Sequence, residues 1–549
     1  MKKIYYFLGL IACILNNQLF SQDKLFTIQD TLRGSNTSFR DWWEVKYYDI
    51  SIEPDFDNKV LKGNNTITFD INENKREESI MQIDLQEPMS IDKIETQDSI
   101  SIPFKKEGNF YFITLPQTFK KNTQNNKVTI YFQGMPNIAK NAPWDGGWIF
   151  TKDKNNKPWM TVACEGIGAS VWFPCKDYLG DEPDEGMKLN IITEGDLKGV
   201  GNGRLVGYSK DSLGKNIYSW QVTNPINNYN IIPYIGEYVN FTDIYKGEKG
   251  DLDLDYWVLS YNLHVAKSHF SQVKKMLLAL EYWFGPYPFY EDGYKLVESP
   301  HLGMEHQSDI AYGNQYKNGY LGTDRSHTGI GLQWDFIIVH ESGHEWFGNN
   351  ITNADAADMW IHEAFTTYSE TLYTEYYYGK EAASQYIIGQ RKNIQNDIPI
   401  IGEYGVNQKG SSDMYDKGAN MIHTIRQIIN DDQKFREILR GLNKNFYHKI
   451  VSTNQIENYI IEHSKIDLTK IFDQYLRTTQ VPTLEYYIKN NSIYYRWVNT
   501  VPDFSMKIKT SIGNLIPINK WKKSKIDKKL LESFSVDPNF YINLNPLKK

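Results

Sequence analysis

The stretch FIIVHESGHEWF, residues 336–347, constrains the possible folds of this chain more than any other. On a helix advancing about 100° per residue, His344 lies about 40° and Glu341 about 100° from His340, so all three project within one arc. The flanking residues are apolar nearly all round. Such a helix must be buried, and imidazoles taken out of water need partners. The fold therefore has to wrap this helix and give two histidines something to hold. Side chains at i and i+4 stack on one face, so His340 and His344 can share one metal ion. Glu341 points aside from that shared point, where a carboxylate can act as general base on a water. The competing reading is a polar helix face with two solvent-exposed histidines, and the apolar flanks speak against it.

A second segment, MWIHEAFTTYSE, strengthens the metal reading. Its Glu363 follows His344 with eighteen residues between. That gap fits a loop and the start of a second helix packed on the first, which makes Glu363 a candidate third ligand. Three protein ligands leave a fourth position open, the mark of a catalytic zinc and not a structural one.

A chain of 549 residues exceeds one ordinary core. Its texture changes twice. From Asp23 to Lys246 short runs such as VKYYDISIEP, KGNNTITFDI, NFYFITL and KVTIYFQG alternate β-branched and aromatic residues between Asn, Asp and Gly turns, which predicts strands. After YKGEKGDLDLDYWVLSY the period becomes helical. VAKSHFSQVKKMLLALEYWFG opens a series that continues over Gly331–Phe347, Met359–Tyr378, Glu381–Asn393, Gly418–Asn430, Asn454–Ser464 and Leu468–Arg477. After TTQVPT strands return in LEYYIKN, SIYYRWV and SMKIKT. The expected organisation is a multidomain α+β protein: a leader over residues 1–21, a β domain over 22–246, a mostly helical catalytic domain over 247–478 and a small β domain over 479–549. Net charge is −7, spread along the chain, with no long basic stripe before the last domain, which argues against nucleic-acid binding. KWKKSKIDKK, residues 520–529, is read as a solvated, edge-protecting surface.

The first residues read as an export signal. Lys2 and Lys3 precede the apolar run IYYFLGLIACIL, which is too short to span a bilayer. Cleavage after Ser21 would leave a mature chain without a transmembrane segment, in the periplasm or secreted. LIAC, residues 10–13, also resembles the box before a lipidated bacterial cysteine, so anchoring through Cys13 stands as the alternative. Cys164 and Cys175 could pair in an oxidising compartment, and their spacing matches no zinc motif.

His340-Glu341-x-x-His344-x18-Glu363 resembles the zinc signature of the gluzincin aminopeptidases, the aminopeptidase N and leukotriene hydrolase family. HEWFGN resembles that family's continuation of the motif. HLGMEHQ resembles its Gly-Ala-Met-Glu-Asn motif, with Leu302 and His306 departing from the pattern. That likeness implies that Glu305 grips a substrate α-amine, while the Gly303–Met304 backbone pairs with the substrate like an added strand. CEGIGASVWFPCKD resembles the segment carrying a second amine-binding acid, here Glu165, eight positions before Phe173-Pro174-Cys175; the leukotriene branch is expected to have glutamine there. Tyr415-x-Lys417-Gly418 resembles the family's tyrosine motif, which implies a phenol donating to an oxyanion.

The likeness covers about residues 40–485 and includes APWDGGWIF and KGVGNGRLVG. It implies a saddle-like N-terminal sheet domain, a thermolysin-like catalytic domain, one Zn2+ per chain, Glu341 as base, and peptide substrates with a free N-terminus. Larger members continue into a long helical domain, where this chain has its small β domain. The rival functions are a leukotriene-type epoxide hydrolase, a thermolysin-like endopeptidase and a catalytically inactive peptide-binding protein. The other histidines are read as packing or surface residues. His306 and His362 adjoin the motifs and are candidates for orienting site groups.

Overall fold

The computed structural model describes residues 26–75, 80–116, 119, 123–525 and 533–548. The residues read as an export signal, with Cys13, and part of the lysine-rich stretch lie outside them.

The strand-rich first third forms a seven-stranded sheet, ordered 204–210, 216–222, 187–193, 43–55, 60–71, 126–134 and 90–96, beside smaller sheets. Strand Trp43–Asp55 shows how sequence builds it. Val45, Tyr48, Ile50 and Ile52 are buried. The alternation changes parity after Val45 because the register against the neighbouring strand shifts between Val45 and Tyr47, and the bulge returns the apolar residues to the inner face. The domain also holds a helix where only strands were expected: α1, Ile28–Gly34. A capping box starts it, with Thr27 Oγ1 accepting from the Asp30 amide and the Asp30 carboxylate accepting from the Thr27 amide. Cys164 and Cys175 are buried free thiols, which settles the open question of their pairing. The Cys164 thiol donates to the Tyr229 carbonyl at 3.2 Å.

The middle of the chain combines a five-stranded sheet with helices. The hairpin Tyr238–Gly247 and Gly250–Leu259 belongs wholly to that sheet, so the sheet begins before the expected boundary at residue 247. Eight helices follow among the described residues: α2 Leu263–His269, α3 Gln272–Phe284, α4 Phe336–Gly343, α5 Trp360–Gln390, α6 Asp416–Ile429, α7 Asp432–Asn445, α8 Thr453–Ser464 and α9 Thr469–Leu476. Three differ from expectation. The helix expected over Gly331–Phe347 is only α4, because Asp335 caps its start by accepting from the Ile338 amide and the chain turns after His344. The two helices expected over 359–378 and 381–393 run together as α5, broken only at Gly379, whose φ of 87° suits glycine. Helix α7 was not anticipated, although Phe435, Ile438, Leu439 and Leu442 bury one face of it.

The last domain is a four-stranded sheet, ordered 522–525, 492–498, 483–489 and 543–546. Its Leu484, Ile493 and Trp497 join the same apolar core as the helices. Its final segment reaches back onto α6. His423 Nε2 meets Asn539 Oδ1 at 2.9 Å, and the Tyr541 amide donates to Thr424 Oγ1 at 3.1 Å. Among the described residues no helix is long and apolar enough to cross a membrane.

Candidate active site

Every residue of α4 is buried, as its all-round apolar surface demands. His340 and His344 aim their Nε2 atoms at one carboxylate oxygen, Glu363 Oε2 in the first turn of α5, at 3.8 and 3.4 Å. Two ligands at about 2.1 Å on a tetrahedral ion stand about 3.4 Å apart. Glu363 Oε2 is buried and has no hydrogen-bond partner. The other nitrogen of each ring is already committed. His340 Nδ1 faces Glu370 Oε1 at 2.7 Å, and Glu370 also accepts from Tyr386 Oη at 2.6 Å and Gln390 Nε2 at 2.9 Å. His344 Nδ1 donates to the Phe347 carbonyl at 3.0 Å. With Nδ1 of each ring facing an acceptor, Nε2 is the nitrogen each ring can offer as a lone pair to a metal once its own proton is displaced. Two imidazoles and a carboxylate so arranged suit zinc.

The residues after His344 explain the WFGN sequence. The helix unwinds at Phe347, whose carbonyl swings back to His344, and Gly348 follows at φ 131°. A β-carbon on Gly348 would stand 3.1 Å from His344 Nδ1.

Glu341 sits beside the donor set. The ligand atoms of Glu305, Glu341 and His344 lie within 4.8 Å of one another. Gly303 makes this possible, since a β-carbon there would come within 2.8 Å of Glu341 Oε1. Gly303–Met304 is the edge strand of the five-stranded sheet, paired on one side only with 310–312. Glu305 accepts from Tyr229 Oη at 3.1 Å, and Asn349 Nδ2 donates to its carbonyl at 2.8 Å. Glu165 Oε1 stands 3.6 Å from Lys409 Nζ. Tyr415, just before α6, donates to Glu363 Oε1 at 2.9 Å and stacks on the His340 ring.

The sequence-derived candidates Glu165, Gly303, Met304, Glu305, His340, Glu341, His344, Glu363 and Tyr415 thus gather in one region. His306 and His362 do not orient them: His306 Nδ1 pairs with Tyr234 Oη, and His362 Nε2 accepts from the Asn353 amide. Glu370, Tyr229, Asn349 and Lys409 were not anticipated. Only Glu370 carried a signal, because seven residues after Glu363 is two helical turns on the same face.

The site is crowded with acid. Burial opposes charge on Glu363, yet the adjoining His344 holds its carboxyl at about 2. The same contact overrides burial at His344 and raises it to about 10. Burial pushes Glu305 up to about 7, with Glu165 adding to the rise. Burial, then Glu305, drive Glu341 well above the carboxylate range. A dication where the Nε2 atoms and Glu363 Oε2 converge would relieve this repulsion.

Two imidazoles and a carboxylate converging on one point, with the Glu341 carboxylate beside them on the same helix as the imidazoles, have the donor set of a metallopeptidase centre. Models of the Peptidase M1 N-terminal domain and the Peptidase family M1 domain match residues 44–229 and 271–475. The chain belongs to peptidase family M1. It is 23% identical to human aminopeptidase B over 79% of this chain and 64% of that protein. To Xenopus laevis leukotriene A-4 hydrolase it is 21% identical, over 79% of this chain and 70% of that one. The chain thus spans a little under two thirds of aminopeptidase B. In fold it matches an M1 zinc metallopeptidase from Deinococcus radiodurans at TM-score 0.66 and 18% identity, over 81% of this chain and 98% of the other. It matches yeast LTA4 hydrolase at TM-score 0.64 and 18% identity, over 78% and 68%.

Proposed function

We propose that this protein is a zinc-dependent aminopeptidase, with His340, His344 and Glu363 holding one zinc ion per chain and peptides with a free N-terminus as substrates. One observation carries the reading: a three-ligand donor set, a neighbouring Glu341, and two further carboxylates on the same side, Glu305 and Glu165. Zinc bound there supplies Lewis-acid polarisation of a carbonyl and a water acidic enough to attack at neutral pH. Glu341 accepts the proton of the attacking water and returns it to the leaving amine. Tyr415 donates to the oxygen that gains negative charge. Glu305 and Glu165 hold the substrate ammonium between them, while the Gly303–Met304 edge accepts the peptide as an added strand. A related Deinococcus radiodurans enzyme was solved with the substrate Tyr-Ser-Ala.

Free and N-acetylated peptides, each assayed with and without a zinc chelator, test this. Release of single N-terminal residues from free peptides, abolished by chelation, is expected. Internal cleavage of acetylated peptides would instead mean an endopeptidase. The proposal includes export to the periplasm or medium, supported by the charged and then apolar residues 2–15. Fractionation and N-terminal sequencing of the mature protein check it, and a cytoplasmic chain retaining residues 1–21 would refute it.

A further inference from the structure

Beside the donor set, on the Glu165 side, lies a cavity of about 250 Å³ walled in part by Cys164, Glu165, Tyr229, Met359 and the loop residues Asn407–Lys409. Tyr229 bonds to Glu305, and Met359 precedes Glu363 by one helical turn, so the cavity adjoins the proposed ammonium site. In any peptide the first side chain leaves the same carbon as the α-amine. Because Glu165 itself lines the cavity, a peptide held by Glu165 and Glu305 has its first side chain within reach of it.

The charges in the cavity wall can be followed one by one. Arg33 is ion-paired with Asp177, and Asp181 with Lys176. Asp355 accepts from the Ala357 and Gly405 amides. Burial pushes the Glu182 carboxyl up to about 8, so it is mostly uncharged at neutral pH. Glu165 and Lys409 are left. Glu165 is the only ion-pair partner of Lys409 among the described residues; the 3.6 Å between them is too long for a hydrogen bond, and the lysine side chain is 42% exposed. Once Glu165 receives a substrate ammonium, that carboxylate faces two cations. Apart from the Asp355 carboxylate, which is tied to the Ala357 and Gly405 amides, the wall then holds one charge without a committed partner, and it is positive.

We infer that Lys409 determines which first side chain this enzyme prefers: its ammonium pairs with the carboxylate of an N-terminal glutamate or aspartate and repels an N-terminal arginine or lysine. The inference rests on the aminopeptidase reading. It concerns a residue that belongs to none of the motifs, on a loop 244 positions from Glu165.

The test uses the zinc-loaded full chain and three reporters, α-glutamyl, alanyl and arginyl p-nitroanilide, with kcat/KM measured for each. The wild type should turn over the glutamyl reporter faster than the arginyl one. Lys409→Gln should lower the glutamyl-to-arginyl ratio about 25-fold, a factor of about five from each reporter, as expected for a partly exposed ion pair. Lys409→Glu should invert the preference. The full set of reporters separates the two levels: no turnover of any of the three by the wild type defeats the aminopeptidase reading itself. With turnover of at least one reporter, a wild type that prefers arginine overturns the inference, even if no variant folds. A ratio unmoved in both variants also overturns it. So does an equal rise on all three reporters, which would make Lys409 a mere competitor for the amine site.

Discussion

Replacing Glu370 with glutamine removes one charge and almost no volume, yet it should loosen the metal. The carboxylate serves three donors: His340 Nδ1 at 2.7 Å, Tyr386 Oη at 2.6 Å and Gln390 Nε2 at 2.9 Å. Glutamine offers one acceptor oxygen. If that oxygen faces Tyr386 and Gln390, the amide nitrogen meets His340 Nδ1 and favours the tautomer protonated on Nε2, the atom aimed at Glu363. If the amide flips, its nitrogen meets two buried donors and leaves them unsatisfied, at about 1–3 kcal/mol. Since about 1.4 kcal/mol is tenfold in affinity, zinc should bind about 10–100-fold more weakly, the usual effect of losing such a partner. Competition against a chromophoric chelator measures this, and kcat at saturating zinc should fall less than affinity. A zinc dissociation constant within about twofold of wild type, in a variant with unchanged circular dichroism, would refute the reasoning.

Three further substitutions probe other parts of the site and the fold. Gly303→Ala places a β-carbon within 2.8 Å of Glu341 Oε1, so kcat should drop at least tenfold while zinc stays bound; metal analysis beside steady-state kinetics decides, and full activity would mean that Glu341 is free to move. Glu341→Gln should retain zinc and lose nearly all turnover, about a thousandfold or more for a proton-transfer group, with wild-type rates eliminating it as the base. His423 is kept neutral when folded because burial lowers its pKa to about 4, against about 6.5 when unfolded. Below about pH 6.5 only the unfolded chain takes up this proton, so stability should fall by up to about 1.4 kcal/mol per pH unit down to about pH 4. His423→Gln should flatten that slope in thermal melts, and an identical slope would show that acid sensitivity arises elsewhere.

What the sequence reveals depends on how local each feature is. His340, Glu341 and His344 share a helix, and Glu363 opens the next one, so spacing alone brings them together; their atoms converge as expected. Glu370 was readable by the same rule, two turns beyond Glu363. The WFGN residues matched a pattern, but the reason for it, a carbonyl turned back onto His344, exists only in three dimensions. Tyr229 and Lys409 had no local signal: one is a tyrosine among 38, the other a lysine in an irregular loop, and both gain meaning from neighbours far along the chain. In the fold, short apolar runs gave the strands their place. The end of α4 was missed because the turn after His344 serves the histidine and not helix propensity.

The contacts of residues 539 and 541 with α6 have a practical consequence. Tyr415 sits at one end of that helix, and His423 and Thr424, two turns further on, rest against Asn539 and Tyr541. The segment 539–541 is thus a splint for the helix that the phenol adjoins. A protease nick or a bulky insertion near Asn539 should therefore slow turnover while the helices that carry His340, His344 and Glu363 stay whole.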